Sequence, residues 1–197
     1  MKRFALTILG VAIVLGTIRA YVLFRDSFPT PTDAVNNFIT RITIKSHSPQ
    51  KIESLNVVSS TPFDRESNEQ LLLFQANDRG LQTHVAGYAT VKKSLFGWYI
   101  NNFQMTGKFP LPNDVMAGLD WSDNIPIVYG QVFLADVASV EVVFSDPNQG
   151  TVTISADIAK GNFAVFGAPY SELTVLKLLD SNGNILKQLT RDELQNG

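Results

Sequence analysis

The chain has 197 residues and a formal net charge of −2, and 45% of its residues are hydrophobic, which is enough for a folded core. It contains no cysteine, which excludes disulfides, thiol catalysis, cysteine-ligated zinc and a lipidated cysteine. Four of its 16 basic residues precede residue 26, so the remaining chain has 12 basic and 18 acidic residues, a net charge of −6. This acidic balance, without a basic run, argues against nucleic acid as a partner.

The apolar run from Phe4 to Phe24 follows two basic residues and contains one charge, Arg19. As a helix it would be about 31 Å long, enough to cross the core of a bilayer. The run therefore predicts an N-terminal transmembrane helix in a single-pass protein of the cell membrane. Lys2 and Arg3 favour a cytoplasmic N-terminus, which leaves the C-terminal part outside. The alternative is a signal peptide that is cleaved near Ala20, so that the mature chain is secreted.

Residues 26–32, after this anchor or signal peptide (residues 1–25), contain two prolines and predict a short linker. Thr30 and Pro31, followed by an acidic residue in the first turn, indicate a helix start. Apolar residues at i, i+3, i+4 and i+7 then predict a helix from about Thr32 to about Lys45. The residues of this apolar stripe are Val35, Phe38, Ile39 and Ile42.

Three apolar segments follow the helix, with turn signals between them. They cover residues 69–75, 81–92 and 98–106, and a further possible strand begins at Val57. The pattern predicts an antiparallel meander covered by the helix, so residues 33–108 are expected to form an α+β domain.

Residues 109–123 interrupt this pattern with prolines, glycine and acidic residues, and they predict a connector between two domains. Residues 124–197 contain short alternating segments about 8–12 residues apart, which is typical of a β-sandwich domain. The fold class expected for the chain is therefore α+β followed by all-β, behind an N-terminal transmembrane helix.

The layout of the whole chain resembles that of uncharacterised single-pass extracytoplasmic proteins of spore-forming bacteria. The resemblance depends on the basic start, the apolar segment, the linker, a strand start at Gly97-Trp98 and a second module that opens near Val128-Tyr129-Gly130. The first module is also similar in pattern to helix-plus-sheet folds of the NTF2 or cystatin type, and the second to immunoglobulin-like modules. These resemblances imply no catalytic residues.

A calcium site is considered at Asp180, Asn182 and Asn184, whose spacing resembles the opening of a calcium-binding loop. Such a loop needs glycine at its sixth position and glutamate at its twelfth, where this chain has Ile185 and Arg191. The glycine of the same stretch stands where a tight hairpin needs it, so a hairpin turn is favoured over a metal site.

The chain has two histidines, His47 and His84, in a predicted loop and a predicted strand. No His-x-x-His or His-x-x-x-His spacing is present, and a zinc site would need distant carboxylates such as Asp78 or Glu53. We interpret both histidines as ordinary surface or strand residues, and no metal or cofactor is predicted.

Asp120 and Asp123 are a candidate carboxylate pair for glycoside chemistry, but solvated acids of a connector are the favoured interpretation. Two aromatic residues, Trp121 and Tyr129, flank the expected domain boundary and are candidates for lining a ligand groove between the domains. A packing role for both is the favoured alternative.

The function predicted from the sequence is that of a membrane-anchored extracytoplasmic module of the cell envelope, which binds and does not catalyse. Its membrane contact would be residues 4–24, and its partner an envelope protein or a wall component. The alternative is an envelope hydrolase whose carboxylates and histidines meet only in the folded chain.

Overall fold

The computed structural model describes residues 14, 16–18, 20–22, 24–45, 52–62, 68–79, 83–108, 114–122, 124–158 and 160–195. Besides helical residues up to Arg25, this part of the chain forms two helices and eleven strands. The helices are α1 (Pro31–Lys45) and α2 (Arg191–Gln195). The strands are β1 (Ile52–Pro62), β2 (Glu69–Asp78), β3 (Thr83–Ser94), β4 (Gly97–Lys108), β5 (Val115–Ser122), β6 (Ile125–Val132), β7 (Ser139–Asp146), β8 (Gly150–Asp157), β9 (Asn162–Phe166), β10 (Glu172–Leu179) and β11 (Ile185–Thr190).

All strand pairs in the described residues are antiparallel, and they form three sheets. The first sheet has the order β1-β2-β3-β4, the second β5-β6-β9, and the third β11-β10-β7-β8. The first sheet follows the chain order, because hairpins can join its strands directly. The other two sheets exchange strands, since β9 returns to β6 and β10 returns to β7.

Helix α1 begins as the sequence predicts. The Thr30 hydroxyl accepts a hydrogen bond from the Asp33 amide at 3.1 Å and donates one to the Asp33 carboxylate at 2.7 Å, which caps the first turn. The buried side of α1 then packs on one face of the first sheet. The fully or almost fully buried residues of this core are Ala34, Val35, Ile39, Leu72, Phe74, Ala89 and Val91.

The second sheet lies between the other two sheets and is covered on both faces. Ile127 and Tyr129 of β6 pack against the opposite face of the first sheet. Val128, between them, packs in the core shared with the third sheet. Because successive side chains of a strand point to opposite faces, one strand supplies two cores, and the layers run helix, first sheet, second sheet, third sheet.

The α+β class expected for the first half, with its NTF2- or cystatin-like pattern, is wrong. The described chain is mostly antiparallel sheet, and its helices are few and short. The reason is that the first sheet is not the outer layer of a separate domain. Its second face is occupied by more strands, so α1 is one cover on a β-rich fold. The β content after residue 124 is compatible with the β-sandwich expected there.

The transmembrane helix predicted over residues 4–24 is contradicted. The structure describes residues 14, 16–18, 20–22 and 24 of that run as helical, and the others lie outside the described residues. No helix in the described part of the chain is long and apolar enough to cross a membrane. The predictions of a single-pass membrane protein and of a signal anchor are therefore wrong.

The connector expected at residues 109–123 contains a strand. Residues 115–122 form β5, which pairs with β6 along its whole length, and residues 109–113 and 123 lie outside the described residues. Gly118 argued against a strand in the sequence, but it stands opposite Tyr129 in this pair. A Cβ at Gly118 would lie 2.9 Å from the Tyr129 ring, so the glycine makes room for the aromatic side chain.

Candidate functional site

The two aromatic residues considered as candidates for a ligand groove lie on opposite faces of the second sheet. Tyr129 is 5% exposed and contacts the ring of Tyr88, with 5.0 Å between the ring centroids and an edge-on geometry. Trp121 is 38% exposed and, by the alternation of β5, shares its face with Ala117, which packs toward the third sheet. The structure therefore does not bring Trp121 and Tyr129 together, and Tyr129 has a packing role.

His84 is held between the first and second sheets by two amide side chains. Its Nδ1 lies 3.0 Å from Oδ1 of Asn77, and its Nε2 lies 2.7 Å from Oε1 of Gln131. Gln131 in turn donates to the side chain of Gln75 at 3.0 Å. Both ring nitrogens are engaged, so this histidine contributes to the contact between the sheets. His47 lies outside the described residues.

Asp120 is engaged in a polar cluster between the same two sheets. The Tyr88 hydroxyl donates to Oδ2 of Asp120 at 2.6 Å and accepts from the Asn102 side chain at 3.0 Å. Burial, and then the hydrogen bond to Asp120, raises the pKa of Tyr88 above its ordinary value. Asp123, the other member of the candidate carboxylate pair, lies outside the described residues.

Metal binding gains no support from the described residues, which hold no group of three or more potential ligands. The stretch from Asp180 to Asn184 is a hairpin turn between β10 and β11, which confirms the favoured interpretation. One oxygen of Asp180 accepts the amides of Asn182 and Asn184, each at 2.8 Å, and the other accepts the Asn184 side chain. Gly183 has a φ of +82°, as a tight turn requires.

A cleft of about 660 Å³ lies between α1, β4 and the residues before α1. We call it the α1 cleft. Its volume falls within the range of about 300–1,000 Å³ that is usual for small-molecule sites. Most of its walls are apolar, with a polar group at one side. The lining residues are Val22, Arg25, Asp26, Phe28, Ala34, Phe38, Arg41, Ile42, Tyr99 and Ile100.

The polar group of the α1 cleft is a carboxylate shared by two guanidinium groups. Asp26 lies 3.1 Å from Nε of Arg25 and 2.6 Å from Nη1 of Arg41. Hydrogen bonding from Arg25, and then from Arg41, lowers the pKa of Asp26 below its ordinary value. The Arg41 guanidinium also lies 5.5 Å from the centre of the Phe28 ring, within cation–π range. Two positive charges and one negative charge leave this side of the cleft with a net charge of +1.

Two backbone hydrogen bonds fix the wall of the α1 cleft that is formed by the residues before α1. The Phe28 amide donates to the Trp98 carbonyl, and the Trp98 amide donates to the Phe28 carbonyl, both at 2.8 Å. They form an isolated antiparallel bridge that fixes the residues before α1 against the start of β4. The cleft therefore has a defined shape within the described chain, with Asp26 two residues from the bridge.

The α1 cleft was not predicted from the sequence, because its residues were assigned to separate segments. Arg25 was counted with the anchor, and Asp26 with the linker. Phe38 was expected to face the sheet with the remaining apolar stripe. One signal was present, because Ala34, Phe38 and Arg41 stand at i, i+4 and i+7, which places an arginine on the same line of the helix as two apolar residues.

Searches against protein-family models, curated proteins and solved structures found no match for the chain. The resemblance of its layout to extracytoplasmic proteins of spore-forming bacteria stays a prediction.

Proposed function

We propose that the protein is a non-catalytic binding module whose ligand site is the α1 cleft. The ligand class is an organic monoanion with an apolar body, such as a medium-chain carboxylate. The observation that carries this proposal is the pairing of Arg25 and Arg41 on the single carboxylate of Asp26, beside apolar walls.

The electrostatics of the α1 cleft favour an anion of charge −1. One carboxylate cannot neutralise two guanidinium groups, and a second carboxylate would bring the local charge to zero. Each guanidinium has five N–H donors. In the described chain, Arg25 uses two of them on Asp26, while Arg41 uses one on Asp26 and one on the Arg25 carbonyl. The remaining donors are suited to the paired oxygens of a carboxylate.

The apolar walls supply the second part of the recognition. Phe38 and Ile42 of α1 and Ile100 of β4 line the cleft, so an alkyl or aromatic body would leave water on entering. Burial of each methylene group contributes about 0.8 kcal/mol to the free energy of binding, so the affinity is expected to rise with the length of the alkyl chain.

The alternative of an envelope hydrolase has less support. His84 and Asp120 are each engaged by other side chains, in separate hydrogen-bonded groups. Neither lines the α1 cleft. An envelope protein or a wall component as a further partner stays a prediction from the sequence.

The proposal is tested by isothermal titration of the full chain with decanoate and with decanol. The two probes share an alkyl chain and differ in the charged head. Decanoate is expected to bind at least about tenfold more tightly, because hydrogen bonds to charged groups contribute about 1.5–3 kcal/mol. Equal affinities, or no binding of either probe, would overturn the proposal.

Two variants separate the cleft from general surface charge. Arg41→Gln removes one guanidinium and is expected to weaken decanoate binding about tenfold or more, with little change for decanol. Arg191→Gln is the matched control, because Arg191, in α2, is also a partly exposed arginine in an ion pair, at 3.3 Å from Glu172 of the third sheet. A similar loss in both variants would contradict a site at the cleft. Urea unfolding of each variant checks that the fold is retained.

A further inference from the structure

The turn between β3 and β4 exposes two large apolar side chains. Leu95 is 100% exposed and Phe96 is 46% exposed. Phe24, which precedes α1 in the chain, is 65% exposed and meets the Phe96 ring edge-on at 5.8 Å between centroids. We call these three residues the apolar tip. Single exposed apolar residues are common on proteins, but three in one projecting cluster indicate a contact surface.

The apolar tip is held in place by the residues behind it. The Ser94 hydroxyl donates to the Gly97 carbonyl at 3.0 Å and accepts from the Phe96 amide at 3.1 Å, which closes the turn. It also lies 3.2 Å from the Ser27 hydroxyl, so the turn is tied to the residues before α1. The tip is therefore pre-organised, and a partner would not need to order it.

Two exposed lysines stand directly behind the apolar tip. Lys92 and Lys93 lie near the end of β3, and the Lys93 ammonium lies 5.8 Å from the centre of the Trp98 ring. Among the described residues, the acid beside these lysines is Glu69, which is 7% exposed and is bound by Lys92 at 3.4 Å and by Asn101 at 2.8 Å. The described residues at this end therefore include more basic than acidic side chains, although residues 26–197 carry a net charge of −6.

Aromatic side chains complete the pattern. Trp98 and Tyr99, at the start of β4, are half-buried and pair with Lys93 and Lys92. The order is apolar residues at the tip, then tryptophan and tyrosine, then lysine. It matches the change in a bilayer from acyl chains, through the interface, to charged headgroups. A protein partner would instead be expected to meet a groove or a flat patch with a polar rim.

We propose that the apolar tip inserts into the surface of a lipid bilayer that contains anionic lipids, with Lys92 and Lys93 at the headgroups. This contact is peripheral, through a β-turn, and is independent of the ligand of the α1 cleft. Leu95 and Phe96 would enter the acyl boundary, while Trp98 would lie close to headgroup level.

The test uses the fluorescence of Trp98 in the full chain. Trp121→Phe leaves Trp98 as the one tryptophan, since the chain has two. Vesicles of phosphatidylcholine and phosphatidylglycerol in a ratio of about 3:1 carry lipids brominated high on the acyl chain. Quenching of Trp98 by these vesicles is expected, and weaker quenching by vesicles of phosphatidylcholine alone, because each lysine near an anionic surface contributes about 1 kcal/mol, or about fivefold. Absence of quenching in both vesicle types would overturn the proposal.

Substitutions at two exposed turns decide which surface makes the contact. Leu95→Ser with Phe96→Ser is expected to reduce vesicle affinity about tenfold or more, because it removes the apolar groups that would be buried. Ile185→Ser with Leu186→Ser is the matched control, since these residues are 54% and 44% exposed next to the β10–β11 turn. The first 24 residues are the same in both variants. Equal affinity of the two double variants would contradict insertion of the tip.

Discussion

The hydroxyl of Tyr88 donates a hydrogen bond of 2.6 Å to Oδ2 of Asp120, which connects the first sheet to the second through side chains. The same hydroxyl accepts from Asn102 at 3.0 Å, so it links three strands. Tyr88 is fully buried, and its ring meets Tyr129 edge-on. A polar cluster in this position fixes the relative placement of two apolar layers, because unpaired polar groups there would carry a desolvation cost.

Tyr88→Phe is expected to lower the free energy of unfolding by about 1–3 kcal/mol, because Asp120 loses its donor and Asn102 loses its acceptor. Asp120→Asn keeps a polar group of the same size and is expected to cost less. Urea unfolding of the two single variants and the double variant gives the coupling between the residues. Additive costs would show that the hydrogen bond does not contribute to stability.

Stability is expected to fall at alkaline pH because of Tyr129. Burial, and then the charge of Asp120, raises the pKa of Tyr129 to about 12, against about 10 in an unfolded chain. Below pH 10 both states hold the proton, and the stabilisation is fully present. Between pH 10 and 12 the unfolded state loses the proton first, so it binds fewer protons and the free energy of unfolding falls. The loss is about 2 kcal/mol at pH 12, and Tyr88 adds to it in the same direction.

Tyr129→Phe is expected to reduce this alkaline loss, since phenylalanine does not ionise. The measurement is the free energy of unfolding in urea from pH 8 to pH 11.5, with tyrosinate absorbance followed in parallel. Tyr170→Phe is the control, because Tyr170 is 68% exposed. If the two variants lost stability equally as the pH rose, burial of Tyr129 would not be the cause.

Gly97 allows the residues before α1 to approach the first sheet. Its φ is +129°, and a Cβ would lie 2.5 Å from the Phe28 carbonyl oxygen. Gly97→Ala is therefore expected to cost about 2 kcal/mol or more, through backbone strain and displacement of the Phe28–Trp98 bridge. Gly150→Ala is the control, since Gly150 has a φ of +77° with nothing within 4 Å of the added Cβ. Urea unfolding and a red shift of Trp98 fluorescence measure the effect. Equal costs for both glycines would exclude a role of the Phe28 contact.

Local features of this fold were predictable from the sequence. The start of α1 depends on Thr30 and Asp33, which are three residues apart. The β10–β11 turn depends on Asp180 and Gly183, which are equally close. In each case the determining hydrogen bonds join near neighbours, so residue type and spacing carry the information.

The layering and the α1 cleft were not predictable in the same way. Tyr129 pairs with Ala164 in the neighbouring strand, and Asp120 bonds to Tyr88, over 30 or more residues in each case. The ion pair between Asp26 and Arg41 crosses from a predicted linker to a predicted helix. A short apolar run such as residues 127–129 indicates a buried strand, but it does not tell which layers cover it.

The two tryptophans provide a test of how the layers unfold. Trp98 lies in the first sheet and Trp121 in the second, and the sequence placed them in an α+β domain and a connector. Because β6 supplies residues to the cores on both of its faces, the loss of either core exposes part of the other. We expect one cooperative transition in the described layers.

The measurement uses Trp98→Phe and Trp121→Phe, each of which leaves one tryptophan as the probe. In each variant, the fluorescence transition in urea is expected to have the same midpoint and slope as the circular dichroism transition of that variant. Ile127→Ala, which removes a fully buried side chain between the first and second sheets, is expected to shift both probes by the same amount, at a cost of about 2–5 kcal/mol. If Trp98 moved and Trp121 did not, the first sheet would unfold as a separate unit, and the two domains predicted from the sequence would be the better description of the chain.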